Sequence, residues 1–224
     1  TYCHKKNVHV IFDGVFNHTG RDFFAFRDIL KKRESSSYLD WYCNVNFGGN
    51  NEYNDGFSYE NWGGYNLLVK LNQRNPAVKD YICNVIRFWV SEFDIDGIRL
   101  DAADVLDFDF MKALRQTANE VKADFWLMGE VIHGDYGRWV GGDMLHSVTN
   151  YQLHKALFSG HNDHNYFEIA HTVNYLHQML SNHFFLLLNA LSFHTVFLSS
   201  SNLFSMCNIN YLTFSSFFFF TLSL

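Results

Sequence analysis

Cysteine is sparse in this sequence, positive charge is not in excess, and no long apolar run goes uninterrupted. The four cysteines in 224 residues, Cys3, Cys43, Cys83 and Cys207, show no C-x-x-C spacing and no dense framework. A disulfide scaffold is therefore not expected, and free thiols in a reducing, cytoplasmic setting are the plain reading. A formal charge of −6 and a pI near 6.0 argue against nucleic acid as a partner. In the most apolar stretch, Asn, His and Ser interrupt before ~20 apolar residues accumulate, so a membrane span is not expected. No signal peptide opens the chain, and Thr1 is not an initiator. The expectation is that the sequence starts inside a longer protein.

What is present alternates between strand and helix patterns. Val8–Phe12 is a short apolar, β-branched run ending at Asp13-Gly14, as a buried strand would. A polar and aromatic insertion of little periodicity follows, from about residue 19 to 75. A loop of that length inside a compact domain implies a function. Asn75-Pro76 then opens a helix whose apolar stripe is Val78, Ile82, Val85, Ile86, Trp89 and Val90. Further strands are expected at Gly97–Asp101 and Phe125–Glu130, and another at Met144–Val148. Helices are expected up to Val121, from Tyr151, and from His164 to Leu180. This alternation predicts a parallel sheet with right-handed crossovers, either open and doubly wound or closed as a barrel.

From about Ser181 the composition becomes Phe-, Leu- and Ser-rich with almost no charge. A membrane hairpin and a core strand region both fit this stretch poorly. The reading favoured is a tail foreign to the fold, such as an out-of-frame end.

Each predicted strand ends in a polar cluster: Asp13 with Asn17-His18, then Arg99-x-Asp101, then Glu130. In a parallel α/β barrel the carboxyl ends of the strands share one rim, where active sites are built. Taken singly, each residue has an ordinary reading: an Asp after a strand caps helices, and Arg99–Asp101 is a plausible local ion pair. Residues i and i+2 share a strand face, however, so Arg99 can hold Asp101 ionised and oriented, as a sugar nucleophile requires. Glu130 follows an apolar run, where desolvation is expected to raise its pKa toward that of a general acid. Trp62, Tyr65 and Trp139 are candidates for stacking on sugar rings, although loop aromatics pack on their own loop at least as often.

These clusters resemble the signatures of the α-amylase family of glycoside hydrolases. Asp13-Gly14-Val15-Phe16-Asn17-His18 resembles the first, Gly97-Ile98-Arg99-Leu100-Asp101 the second, and Gly129-Glu130-Val131 the third, in the family's order. Leu68-Val69-Lys70-Leu71-Asn72 is similar to the M-P-K-L-N signature of the neopullulanase–cyclomaltodextrinase branch, with Leu-Val for Met-Pro. The resemblance spans residues 1–180. It implies a partial (β/α)8 TIM barrel, about strands 3 to 6, with an inserted loop subdomain after strand 3.

By position it implies Asp101 as nucleophile and Glu130 as acid/base. Arg99, His18 and Asp13 would serve substrate binding, and α-glucan oligosaccharides would be the substrates. No metal or cofactor is certain and calcium is possible: Asn17 stands where some members bind it, although a turn-capping side chain is the plainer reading.

The implied parent activity is retaining hydrolysis of α-glucosidic bonds in maltodextrins, pullulan or cyclodextrins. Oligo-α-1,6-glucosidase, glucan transferase and a non-catalytic glucan-binding or non-functional segment are the alternatives. The family's fourth signature, N-H-D, should fall soon after Leu180, where the Phe-rich tail stands. His161-Asn162-Asp163-His164 looks like it but has no apolar strand before it. An arc of about four strands with open edges is expected to be inactive by itself.

Overall fold

The computed structural model describes residues 2–179 and, by backbone alone, Phe218–Leu222. Four strands form a parallel sheet: β1 (Val10–Gly14), β5 (Gly97–Leu100), β6 (Trp126–Gly129) and β7 (Ser147–Val148). Between β1 and β5 lie β2 (His18–Gly20), α1 (Phe24–Lys32), β3 (Asn61–Trp62), β4 (Tyr65–Lys70) and α2 (Pro76–Phe93). Helix α3 (Phe108–Val121) joins β5 to β6, and α4 (Tyr151–Asn162) and α5 (Tyr166–Met179) follow β7. The strand order β7-β6-β5-β1 follows the chain without reversal, and the backbone of β8 (Phe218–Leu222) pairs in parallel with the other edge of β1. A doubly wound sheet would reverse direction at a switch point; this order instead describes the arc of a barrel. The rest of the tail, including Cys207 and the place where N-H-D was sought, lies outside the described residues.

Local chemistry accounts for the helix ends. The Asn75 side chain accepts the Ala77 N–H at 2.8 Å, with Pro76 at the first position, and Asp94 closes α2 in the left-handed region at φ 53°. The Asp107 carboxylate caps α3 by accepting from Asp109 and Phe110. Alternation along the strands sends Phe12, Ile98 and Leu127 toward the helices. There they pack with Ile82, Ile86 and Trp89 of α2 and Phe110, Met111 and Leu114 of α3. The Trp89 ring meets Phe12 edge-on at 5.5 Å and stacks on Phe16 at 5.9 Å. Gly97 is required by close approach: a Cβ there would collide with the Trp126 carbonyl oxygen.

The insertion is more ordered than its sequence suggests. It folds as the antiparallel sheet β2-β4-β3 packed on α1. Its own core is formed by Ala25, Phe26, Ile29, Trp41, Tyr42, Phe57, Tyr59, Val69 and Leu71. Arg21 forks onto Asp55 at 2.8 and 3.0 Å and donates to the Tyr59 hydroxyl at 2.7 Å, pinning residues 50–57 that look structureless in sequence.

At the end of the sheet opposite the strands' carboxyl ends, Asp96 ties together three segments. It accepts from the Val10 N–H at 2.7 Å, His4 Nε2 at 2.7 Å and Lys122 Nζ at 2.7 Å. Burial alone would push this carboxyl up. Lys122, the Val10 N–H and His4 outweigh burial and hold it below the usual aspartate value. A depressed folded-state value means its contribution is full above the ordinary aspartate range and is lost as pH falls through that lower value. Asp96→Ala is expected to lower stability by about 1–3 kcal/mol at neutral pH, by stranding the buried Val10 N–H and removing the partner of the part-exposed His4 and Lys122. It should also flatten the acid limb of the stability curve. Urea unfolding at pH 7 and pH 3 checks both, and an unchanged midpoint at pH 7 would contradict the assignment.

Candidate active site

The strand register places Asp13 of β1 beside Arg99 of β5. Both side chains lie on the sheet face opposite the helix core, because their neighbours Phe12 and Ile98 fill that core. Arg99 is 8% exposed and contacts three carboxylates. Its Nη1 lies 2.6 Å from Asp13 Oδ1 and 3.4 Å from Asp101 Oδ1, and its Nη2 lies 2.8 Å from Glu130 Oε2. One guanidinium thus gathers the polar ends of β1, β5 and β6, all three from residues singled out in the sequence.

Asp101 and Glu130 are fixed by main-chain bonds just beyond their strands. The Asp101 N–H donates to the Gly14 carbonyl at 3.0 Å, and the Glu130 N–H donates to the Leu100 carbonyl at 2.8 Å. The Ala103 N–H donates to the Glu130 carbonyl at 2.9 Å, and the Ala102 N–H approaches Glu130 Oε2 at 3.4 Å. Ala102 adopts a left-handed conformation at φ 45°, which turns the chain sharply after Asp101.

The protonation preferences run opposite to the sequence expectation for Glu130. Burial pushes Glu130 up, but the Tyr151 hydroxyl, donating to Oε1 at 2.8 Å, and the Arg99 charge outweigh it, so the carboxyl sits below the usual glutamate value. Asp101 is raised: burial comes first, and the negative charges of Glu130 and Asp13 add to it against the attraction of Arg99. Arg99 lies closer to Asp13 and Glu130 than to its own strand neighbour, and Glu130 alone of the pair also has the Tyr151 hydroxyl. Local i,i+2 spacing could not reveal that tertiary preference.

His18 begins β2 and is buried, and desolvation lowers its pKa so that the ring is held neutral. Its Nδ1 lies 3.4 Å from the Asn17 amide nitrogen, and Asn17 Oδ1 lies 3.4 Å from Gln73 Nε2. Calcium takes six to eight oxygens, usually with carboxylates among them. Asn17 is instead engaged with amide and imidazole groups. Among the described residues, no cluster of three or more His, Cys, Asp or Glu could hold a metal.

The aromatic candidates divide. Trp139 is buried in the main core and offers no open face to a sugar. Trp62 is half-buried, and Tyr65 is exposed on the β3–β4 hairpin. His161–His164 lie exposed at the end of α4. Tyr151 was not anticipated from sequence. The only signal was its place directly after Asn150, at the mouth of a predicted helix.

Comparison with known proteins agrees with this geometry. The alpha-amylase catalytic domain family matches residues 1–202. A cyclomaltodextrinase of Geobacillus thermopakistaniensis (strain MAS1) is 38% identical over 154 residues, which cover 69% of this chain and 26% of that protein. Neopullulanase 2 of Thermoactinomyces vulgaris is 37% identical over 159 residues, covering 69% and 26%. A crystal structure of a Thermus thermophilus protein superposes with a TM-score of 0.64 at 37% identity, covering 70% of this chain and 33% of that one. The chain therefore spans about a quarter of the length of the curated relatives it matches. With the family match running from residue 1 to 202 and the signature carboxylates meeting on one arginine at the strand ends, the chain belongs to the alpha-amylase family of glycoside hydrolases.

Proposed function

We propose that this chain forms strands three to six of a (β/α)8 barrel, with the 19–75 insertion as a subdomain after strand three. The barrel's reaction in this reading is retaining hydrolysis of α-glucosidic bonds in maltodextrins, pullulan or cyclodextrins. The observation that carries the reading is the single Arg99 guanidinium shared by Asp13, Asp101 and Glu130. The names of the related cyclomaltodextrinase and neopullulanase support the substrate class. Free Cys3, Cys43 and Cys83 suit a reducing cytoplasm, and no helix among the described residues is long and apolar enough to cross a membrane.

In this reading Asp101 attacks the anomeric carbon and the glycosidic oxygen leaves with the proton of Glu130. Water then gives its proton to Glu130 and its oxygen to the anomeric carbon, which frees Asp101. One guanidinium reaching both carboxylates favours the retaining separation of about 5–5.5 Å over the wider inverting one. Burial holds the Asp101 carboxyl above its ordinary value, while the Tyr151 hydroxyl and Arg99 hold Glu130 below its own. The first step needs the proton on Glu130. In the same reading Asp13 anchors Arg99, and neutral His18 donates a hydrogen bond to a sugar hydroxyl.

With this segment inside a complete barrel, Asp101→Asn is expected to reduce kcat at least ~10³-fold on maltodextrin while the fold persists. Near-normal turnover would refute the nucleophile. Glu130→Gln should form its glycosyl–enzyme readily from aryl glycosides with good leaving groups and slowly from poor ones. Equal losses on both, read by burst kinetics, would remove Glu130 from the acid role. The 224-residue chain alone is expected to show no turnover of maltodextrin or pullulan. Activity that disappears on Glu130→Gln would show that the arc suffices.

A further inference from the structure

Glu130 has a partner outside the signature motifs, and the fold takes several steps to deliver it. After β7, Thr149 clips two strand ends together: its N–H donates to the Gly129 carbonyl at 2.9 Å, and its Oγ1 accepts the Val131 N–H at 3.0 Å and donates to the Val131 carbonyl at 3.1 Å. Asn150, 3% exposed, then caps α4 by accepting the Leu153 N–H at 3.0 Å. Two consecutive residues thus lock the backbone on either side of Glu130 and at the start of α4. Tyr151 follows at once, and its hydroxyl donates to Glu130 Oε1 at 2.8 Å. Arg99 and the Ala102 N–H occupy the other oxygen, Oε2. The carboxyl is held at both oxygens from three directions, which fixes its plane.

We infer that Tyr151 is a positioning residue for the reaction: its hydroxyl fixes the Glu130 carboxyl plane and supports Glu130 as the carboxylate base of the water-attack step. The inference rests on the reading of Glu130 as the acid/base. Donation from an uncharged hydroxyl stabilises the ionised carboxyl without supplying a counter-charge, so it complements Arg99 rather than duplicating it. The Tyr151 hydroxyl is itself pushed up to about 12, by burial and then by the Glu130 bond, and so stays a proton-bearing donor across the working range.

The test titrates Glu130 directly in the 224-residue chain by carboxyl-carbon NMR of labelled glutamate, with the resonance assigned by its loss in Glu130→Gln. In Tyr151→Phe, which keeps the ring and removes only the donor, the midpoint should rise by about one pH unit. Tyr136→Phe serves as the structural control, because the Tyr136 hydroxyl accepts the Gln152 N–H at 3.3 Å at the same helix start; it should leave the midpoint in place. An unmoved midpoint in Tyr151→Phe, or an equal rise in Tyr136→Phe, overturns the inference. The glycosidase reading fails by a different result, turnover in a complete barrel that survives Glu130→Gln.

Discussion

The site depends on one buried cation facing three carboxylates. Arg99 cannot neutralise Asp13, Asp101 and Glu130 together, so their arrangement is a competition, which distance and the Tyr151 donor on Glu130 tip together. Asp13 and Glu130 sit within 2.8 Å and Asp101 at 3.4 Å. Burial sharpens the competition, since a desolvated carboxyl that loses the contest takes up a proton more easily. The Arg99 Nε is also buried, with no hydrogen-bond partner among the described residues. The guanidinium is therefore held by its terminal nitrogens, and a small tilt would redistribute it among the three acids.

A cation can be held at such a crossing only on a rigid frame, and the frame is anchored at both ends of the strands. Main-chain bonds from Asp101 and Glu130 back to Gly14 and Leu100 continue the ladder past the strands' carboxyl ends. At the opposite end, Asp96 binds Val10, His4 and Lys122, joining the approach to β1, the start of β5 and the end of α3. The layer between is apolar and closely packed, with Ile98, Leu100 and Leu127 all fully buried. The polar ends are thus separated by a core that leaves little room for strand slippage, and a one-residue slip would turn Arg99 into the helices.

The insertion shows where pattern reading gives out. Phe26 and Ile29 of α1 have helical spacing, but the surrounding Gly-, Asn- and Tyr-rich sequence hides it. The short strands β2 and β3 carry only three and two residues. What orders the region is long-range: the Arg21–Asp55 fork spans 34 positions and Phe26 meets Tyr59 edge-on at 5.0 Å. Contacts of that separation leave no periodic trace in a sequence. For Trp139 the sequence left stacking on a sugar and packing within the protein both open, and the fold of residues 131–148 draws it into the main core.

The sequence by itself determined the parallel strand–helix order, the helix start at Asn75-Pro76, and which residues stand at the strand ends, because these follow from short-range periodicity and local side-chain chemistry. Asp13, Arg99, Asp101 and Glu130 were all legible there as end-of-strand polar residues. Only the tertiary structure decided how they share charge. The β1–β5–β6 register sets Arg99 nearer Glu130 than Asp101, and a helix starting 21 positions later brings the Tyr151 hydroxyl to Glu130. Electrostatic balance depends on distances of a few ångströms between segments far apart in the chain, and those distances exist only once the sheet has formed.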